Sequence, residues 1–396
     1  MILKIIICHM KILFVQWANF GKEDITEAFI NLGHEVIPFI FPNFIQYEVN
    51  ENLAELDATI NQIKPDLIFS SNFSANVSAL CYVHSIPYAA WVYDSPQLNT
   101  FSATLVNPTN YVFMFDSEDY NLFSNSGINT VYYLPLAANA RRMDKMIPSN
   151  ELRSKLQCDV SFVGRFYDED TDHFSGAQNM NDYSKGYMDA LMDAQRMVSG
   201  ISFIEPLIKG EFLKELQRAI PHDTKENNAI TDEYLYSRYF IEKKITTMER
   251  KSIMATVSEH FDTKLFTVKP TPYLPKVTNL GTVNPYKELP LVFKCSKINL
   301  NISLRSIHAG IPLRAIEIMG ANSFLMSNFQ KDFLIFFEPD KDFVYYEDEK
   351  DLVDKCRFYL DHEDERLRIT KNGYEKVKEF FSYEALLQNI LDTIFA

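Results

Sequence analysis

The stretch Ser296–Asn328, SKINLNISLRSIHAGIPLRAIEIMGANSFLMSN, decides how the chain is read. From Lys297 to Ser303, Ile298, Leu300 and Ile302 alternate with Asn299, Asn301 and Ser303, the period of a strand with one apolar and one polar face. A loop holding His308 and Gly310 follows. Pro312 suits the first turn of a helix, where its missing N–H is no loss. Leu313, Ile316 and Gly320 then recur at helical spacing, with Arg314 and Glu317 together on another face. Phe324 to Ser327 resumes as a strand. Strand, loop, helix and strand form one parallel unit. Its loop and helix N-terminus lie at the carboxyl edge of a sheet, where α/β proteins hold ligands.

Upstream, the same alternation of short apolar runs and helical segments begins at Lys11–Gln16 (KILFVQ). Strands follow at 35–40, 66–70, 88–93, 111–115 and 130–134, with helices predicted between them, the signature of a doubly wound parallel sheet. Two strands end in acids, Asp94 and Asp116, and Asp94 leads into the turn signal Ser95-Pro96. Residues 137–157 are polar and irregular and read as the linker. A second series opens at Asp159–Val163, which ends in Gly164-Arg165, and is interrupted over about 173–251 by a helical, strand-poor insertion. Strands return at 264–268 and near 277–283. Beyond Asn328, a strand at 343–345 precedes helices at 349–360, 363–380 and 383–395. The expected division is 1–140, 155–380 and a terminal helix 381–396; residues 1–9 read as an upstream start or an extra edge strand.

The 396 residues exceed one ordinary core, and 46% hydrophobic content with 31 Phe and 21 Tyr can fill two. A net charge of −14 argues against broad contact with nucleic acid or an anionic membrane but leaves a small anionic ligand open. Five scattered cysteines suggest neither a disulfide framework nor a zinc knuckle, and no apolar run is long enough to span a bilayer. Together with the poor fit of MILKIIICHM to a signal peptide, these features point to a cytoplasm.

The polar residues admit two readings each. Arg314 and Glu317 are either an i, i+3 surface pair or, beside a helix N-terminus, a cation for a diphosphate and an acceptor for ribose hydroxyls. Arg165 is either a solvated strand end or a second phosphate-side cation, and Gly281 to Val283 (GTV) would let backbone approach a base. Asp94, with Asp116 second, is a candidate general base, and each may equally cap a turn. His308 stands where it would steady a leaving diphosphate, or is structural. Asp168-Glu169-Asp170 reads as an exposed acidic loop, not a metal site, because cations and a helix dipole already serve the phosphates.

The run from Tyr286 (YKELPLVFKCSKINLNISLRSIHAGIPLRAIEIMGANSFLMSN) on through FEPDKDFVYYEDEK to FFSY resembles the carboxyl domain of the CgeB-like glycosyltransferases, the spore maturation protein group. DVSFVGRFYDED and YAAWVYDSP resemble the same family's upstream segments. The resemblance implies an α/β fold of GT-B type: two Rossmann-like parallel-sheet domains facing a cleft, with a final helix crossing back to the first. It also implies a nucleotide-sugar donor held mainly by the second domain and an acceptor by the first. By the family pattern, Gly281 and Val283 border the base, Gly310 lies in the donor loop and Arg165 and Arg314 meet the diphosphate. Glu317 matches the second Glu of a Glu-x7-Glu pattern and faces ribose, while the first Glu falls at Ala309, so the motif is broken and sugar identity does not carry over. The expected activity is metal-independent hexosyl transfer, with the nucleoside-diphosphate sugar as co-substrate and no other cofactor. The acceptor is a protein, glycan, lipid-linked or small molecule. A non-catalytic two-domain binding protein and a sugar-nucleotide epimerase are the alternatives.

Overall fold

Short runs of β-branched and aromatic residues, separated by amphipathic helices, lay down two all-parallel sheets in the computed structural model. It describes residues 9–17, 21–40, 51–168, 174–222 and 229–395. Residues 1–8, and Glu169 and Asp170 of the acidic triplet, lie outside the described residues. The chain divides into two units near Ala137/Ala138.

In the first unit the strands are β1 (Lys11–Gln16), β2 (Glu35–Ile40), β3 (Leu67–Ser71), β4 (Tyr88–Val92), β5 (Asn110–Met114) and β6 (Val131–Tyr133). They pair in the order β2-β1-β3-β4-β5-β6. Both β3 and β4 are buried along their whole length, and β4 (YAAWV) reads as a continuous apolar run, as parallel strands do. Leu13, Val15, Ile68, Tyr88, Ala90 and Val112 form a core against Val77 and Cys81 of the helix Ala75–His84. The final helix, Tyr383–Phe395, belongs to this unit. Tyr383 packs edge-on to Trp91 at 6.0 Å, and Asn31 donates to Glu384 at 3.1 Å. Gly21, at φ +86°, leaves room for the Tyr383 hydroxyl, which would stand only 3.0 Å from an added Cβ.

The second unit contains β7 (Cys158–Val163), β8 (Thr263–Phe266), β9 (Thr278–Asn279), β10 (Ser296–Asn301), β11 (Leu325–Asn328) and β12 (Val344–Tyr346). Their order is β12-β11-β10-β7-β8-β9. From β7 the chain winds outward through β8 and β9, then restarts at β10 on the other side of β7. The topological switch point of this sheet therefore lies between β7 and β10, and it is there that open α/β sheets form their ligand crevice. Val160, Phe162, Leu265, Ile298, Leu300 and Met326 make its core with Ile253, Met254 and Val257 of the helix Glu242–Ser258. Between β7 and β8 the described residues are helical and contain no strand, as the insertion predicts. No helix among the described residues is long and apolar enough to cross a membrane.

Several expectations need correction. The linker is not irregular: Asn139 and Ser149 cap two short helices, Ala140–Asp144 and Asn150–Leu156. The first of these helices belongs to the second unit, where Lys294 donates to the Met143 and Met146 carbonyls and Tyr374 donates to Asp144 at 2.7 Å. The strand near 277–283 shrinks to Thr278–Asn279, because the Asn279 side chain accepts from Gly281 N and Gly281 turns at φ +79°. Pro312 is the N-cap of the helix Leu313–Gly320, with ψ 145°, not part of its first turn.

Candidate active site

The strand β10 was expected to be half polar, and the polar half is buried. Asn299, Asn301 and Ser303 are each at most 3% exposed. Their polarity is absorbed by neighbouring strands: Ser161 donates to Asn299 at 3.1 Å, Asn301 to Ser327 at 2.8 Å, and Ser303 N to Asn328 Oδ1 at 2.8 Å. Buried side-chain amides cost little when so satisfied, and the ladder fixes the register in which β10 delivers the loop that follows.

At the carboxyl edge the ends of β7 and β10 are joined by one side chain. Arg250, 7% exposed, donates through Nε to Ile302 O at 3.0 Å and through Nη1 to Arg165 O at 2.5 Å. Its guanidinium also lies 5.2 Å from the Phe162 ring and 5.1 Å from the ring of Tyr167, whose φ is +64°. The flat, five-donor fork of arginine suits two carbonyls on separate strands. Arg165 itself is exposed just past the strand.

The 302–312 loop is held as firmly. Arg305 makes bonds through Nε to both Glu249 oxygens at 3.0 and 2.9 Å, and Nη1 reaches Val198 O at 2.8 Å. Burial opposes the Arg305 charge, but the Glu249 carboxylate more than offsets this and raises its pKa. His308 has both ring nitrogens engaged: Arg238 Nη1 stands 2.9 Å from Nδ1, and Glu242 oxygens lie 3.1 and 3.0 Å from Nε2. Arginine can only donate, so Nδ1 accepts and the ring proton sits on Nε2, facing the carboxylate. Glu242 is 1% exposed; desolvation pushes its pKa up, yet His308, Arg238 and Ser202 together hold it below the ordinary value. The ring that was expected to face a diphosphate is partly buried, 19% exposed, and held between these two side chains. Ala309 and Gly310 are buried, and Ala309 O accepts from Asp332 N at 3.0 Å.

No side chain caps the helix Leu313–Gly320. Arg314 and Glu317 meet at 2.6 Å, both partly buried, so the cation and the carboxylate assigned to different ligand groups stand paired at the switch point. Gly281 and Val283 follow β9, at the same edge of the same parallel sheet and farther from the switch. All the donor-side candidates thus fall along one edge.

The two candidate aspartates belong to the first unit and differ. Asp116 is 1% exposed and accepts from Glu118 N at 3.0 Å, capping the helix Ser117–Ser124. Asp94, just past β4, is exposed at its surface. Even so, the protein around its carboxylate raises the pKa, opposed by a 2.7 Å bond from Asn72. The Ser95-Pro96 peptide after it is cis. Asp168 is ion-paired with Lys251, and the described residues contain no cluster suited to a metal ion.

Two all-parallel six-stranded sheets of this order make an α/β fold of GT-B type, and comparison with known proteins agrees. Residues 250–392 match the family described as glycosyl transferase-like. Among solved structures, sucrose-phosphate synthase from Thermosynechococcus elongatus is similar over 97% of this chain and 98% of its own, with TM-score 0.56 and 12% identity. A glycosyltransferase from Rickettsia africae is similar over 98% of each chain, at TM-score 0.55 and 12% identity. Anabaena HepE in complex with UDP-glucose is similar over 98% of this chain and 99% of its own, at TM-score 0.53 and 13% identity. No curated protein sequence matches the chain. The chain has the GT-B fold, and the second unit carries the part that matches the glycosyl transferase-like family.

Proposed function

We propose that this protein is a glycosyltransferase of the CgeB-like kind, transferring a hexose from a nucleoside-diphosphate donor bound by the second unit to a hydroxyl of its acceptor, without a metal. The observation that carries the reading is the gathering of Arg165, Gly310, Arg314 and Glu317 at the β7/β10 switch point, where the uncapped helix start presents backbone N–H groups. Arg165 and Arg314 supply positive charge to the diphosphate as it departs, and Glu317 accepts from the ribose once Arg314 turns to phosphate. Gly281 and Val283 border the base. HepE, which was solved with UDP-glucose, supports a donor of this chemical class.

The acceptor oxygen attacks the anomeric carbon, the bond from that carbon to the diphosphate oxygen breaks, and on an inverting course the hydroxyl proton passes to Asp94. Its raised pKa suits a base. Asp116 and His308 take no part in proton transfer on this reading, because each is committed to a structural bond. Buried reduced cysteines at 81, 158, 295 and 356 fit a cytoplasmic location.

The test is nucleotide release from UDP-, GDP-, ADP- and dTDP-glucose, with and without an extract of candidate acceptors. Acceptor-dependent release of one nucleoside diphosphate supports the reading. An altered donor sugar without acceptor would make the protein an epimerase, and binding with no turnover in any extract would make it a binding protein.

A further inference from the structure

Five polar residues on one face of the insertion's last helix reach the donor loop. A π-helical turn, Tyr236–Ile241, runs directly into the helix Glu242–Ser258. Along it, Arg238, Glu242, Thr246 and Arg250 recur every fourth residue and Glu249 stands three after Thr246, so they form a single stripe. Arg238 and Glu242 grip the two nitrogens of His308. Thr246 Oγ1 accepts from Arg305 N at 2.8 Å, Glu249 pairs with the Arg305 side chain, and Arg250 binds Ile302 O. The loop is therefore fastened at three successive points, near 302, 305 and 308.

We propose that this stripe is a template that sets the shape of the 302–312 loop for the donor, making Arg250, Thr246 and Glu242 positioning residues; the proposal rests on the donor reading given above. Three observations carry it. The stripe is buried, with Glu242, Thr246 and Arg250 at 1%, 0% and 7% exposure, and its polar groups are turned on one loop. Burying that many polar and charged groups is costly unless they specify something, and an apolar stripe would have packed the helix at less expense. The π turn shifts the helix register just before Glu242, bringing Arg238 and Glu242 to opposite sides of one imidazole; such turns recur at functional sites. Finally, the family match begins at residue 250, so all of the stripe except Arg250 lies outside it.

A holding role limited to the fold would leave donor affinity unchanged in any variant that folds, whereas a template role would not. Arg250→Lys keeps the charge but offers a single point donor in place of the fork. UDP, GDP and ADP are titrated into the full chain by calorimetry well below the melting temperature, and donor KM and kcat are measured with the sugar donor that turns over. For whichever nucleotide binds the wild type, Arg250→Lys is expected to weaken affinity about tenfold and raise donor KM by a similar factor, with kcat within about twofold. Thr246→Val, which loses only the bond to Arg305 N, is expected to weaken affinity about threefold. Unchanged affinity in folded Arg250→Lys would overturn the template. If that variant does not fold, Thr246→Val and Glu242→Gln decide it: unchanged affinity in both overturns the proposal and weakened affinity supports it. Failure of the wild type to bind any of the three nucleotides would overturn the donor reading itself, a result visible before any variant is made.

Discussion

The carboxyl edges of the two sheets are built by opposite means. At the first, Asp94 depends on one neighbour: Asn72, at φ +64°, donates to the carboxylate at 2.7 Å and accepts from the backbone N–H of Tyr93 and Asp94 at 2.7 and 3.2 Å. The carboxylate stays at the surface. At the second edge, Arg250, Arg305 and His308 lock the loop through a buried hydrogen bond to the backbone and partly buried contacts with carboxylates. A base must exchange protons and meet varied acceptors, so it is set on an accessible turn. A diphosphate site gains from donors fixed before the ligand arrives. On the proposed reading the difference separates the work, with chemistry from the first unit and donor binding from the second.

The strongest challenge to this division is Asp94→Asn. It is expected to lower kcat by about 10²- to 10⁴-fold while leaving nucleoside-diphosphate affinity unchanged. Equal activity would move the base elsewhere, and lost affinity would merge the two roles. Next comes Gly373→Ala in the second unit. An added Cβ would lie 2.3 Å from the Asp342 carbonyl oxygen and 3.2 Å from Met319 Sδ. Backbone cannot yield cheaply there, so denaturant unfolding should show a loss of about 1–3 kcal/mol or more; an unchanged midpoint would mean that the contact is slack.

Smaller effects concern pH. Since burial raises the Asp94 pKa above 3.8, activity should fall on acidification at a higher pH than an ordinary aspartate would dictate. The Asn72 bond opposes that rise, so Asn72→Ala should move the acid limb of the kcat profile further up. A shift downward would show that Asn72 does not stabilise the ionised form. The same raised pKa implies a stability effect. With the folded pKa above the unfolded one, the ionised carboxylate costs stability above the folded value, and the cost disappears below the unfolded value. Asp94→Asn should therefore raise the melting temperature slightly at neutral pH and leave it unchanged in strong acid.

Much of the architecture was legible because local signals agreed with the fold. The helix Ala75–His84 begins after Ser74, whose hydroxyl accepts from Val77 N, and Leu289–Cys295 carries Pro290 in its first turn. Period-2 alternation in β10 gave the strand correctly and its environment wrongly, since periodicity distinguishes faces and cannot tell water from the amides of Asn299 and Asn301 bonded to Ser161 and Ser327. The linker reading failed at Asn139 and Ser149, where polar residues cap helices instead of marking irregular chain. Arg165, Arg314 and Glu317 were found because they adjoin predicted strand and helix ends. Arg250 was missed because its acceptors are backbone carbonyls 85 and 52 residues away, a relation that no spacing encodes. The polar stripe at 238, 242, 246 and 249 was visible in principle as charges recurring at helical spacing beside Ile241 and Ile245.

The central claim, that the β7/β10 edge holds a nucleoside diphosphate through Glu317, is most directly tested by titrating UDP, GDP and ADP into the wild type and Glu317→Ala. A charge-assisted hydrogen bond to ribose is worth about 1.5–3 kcal/mol, so one nucleotide should bind the wild type about 10- to 100-fold more tightly than the variant. Equal affinity in the two proteins would contradict it.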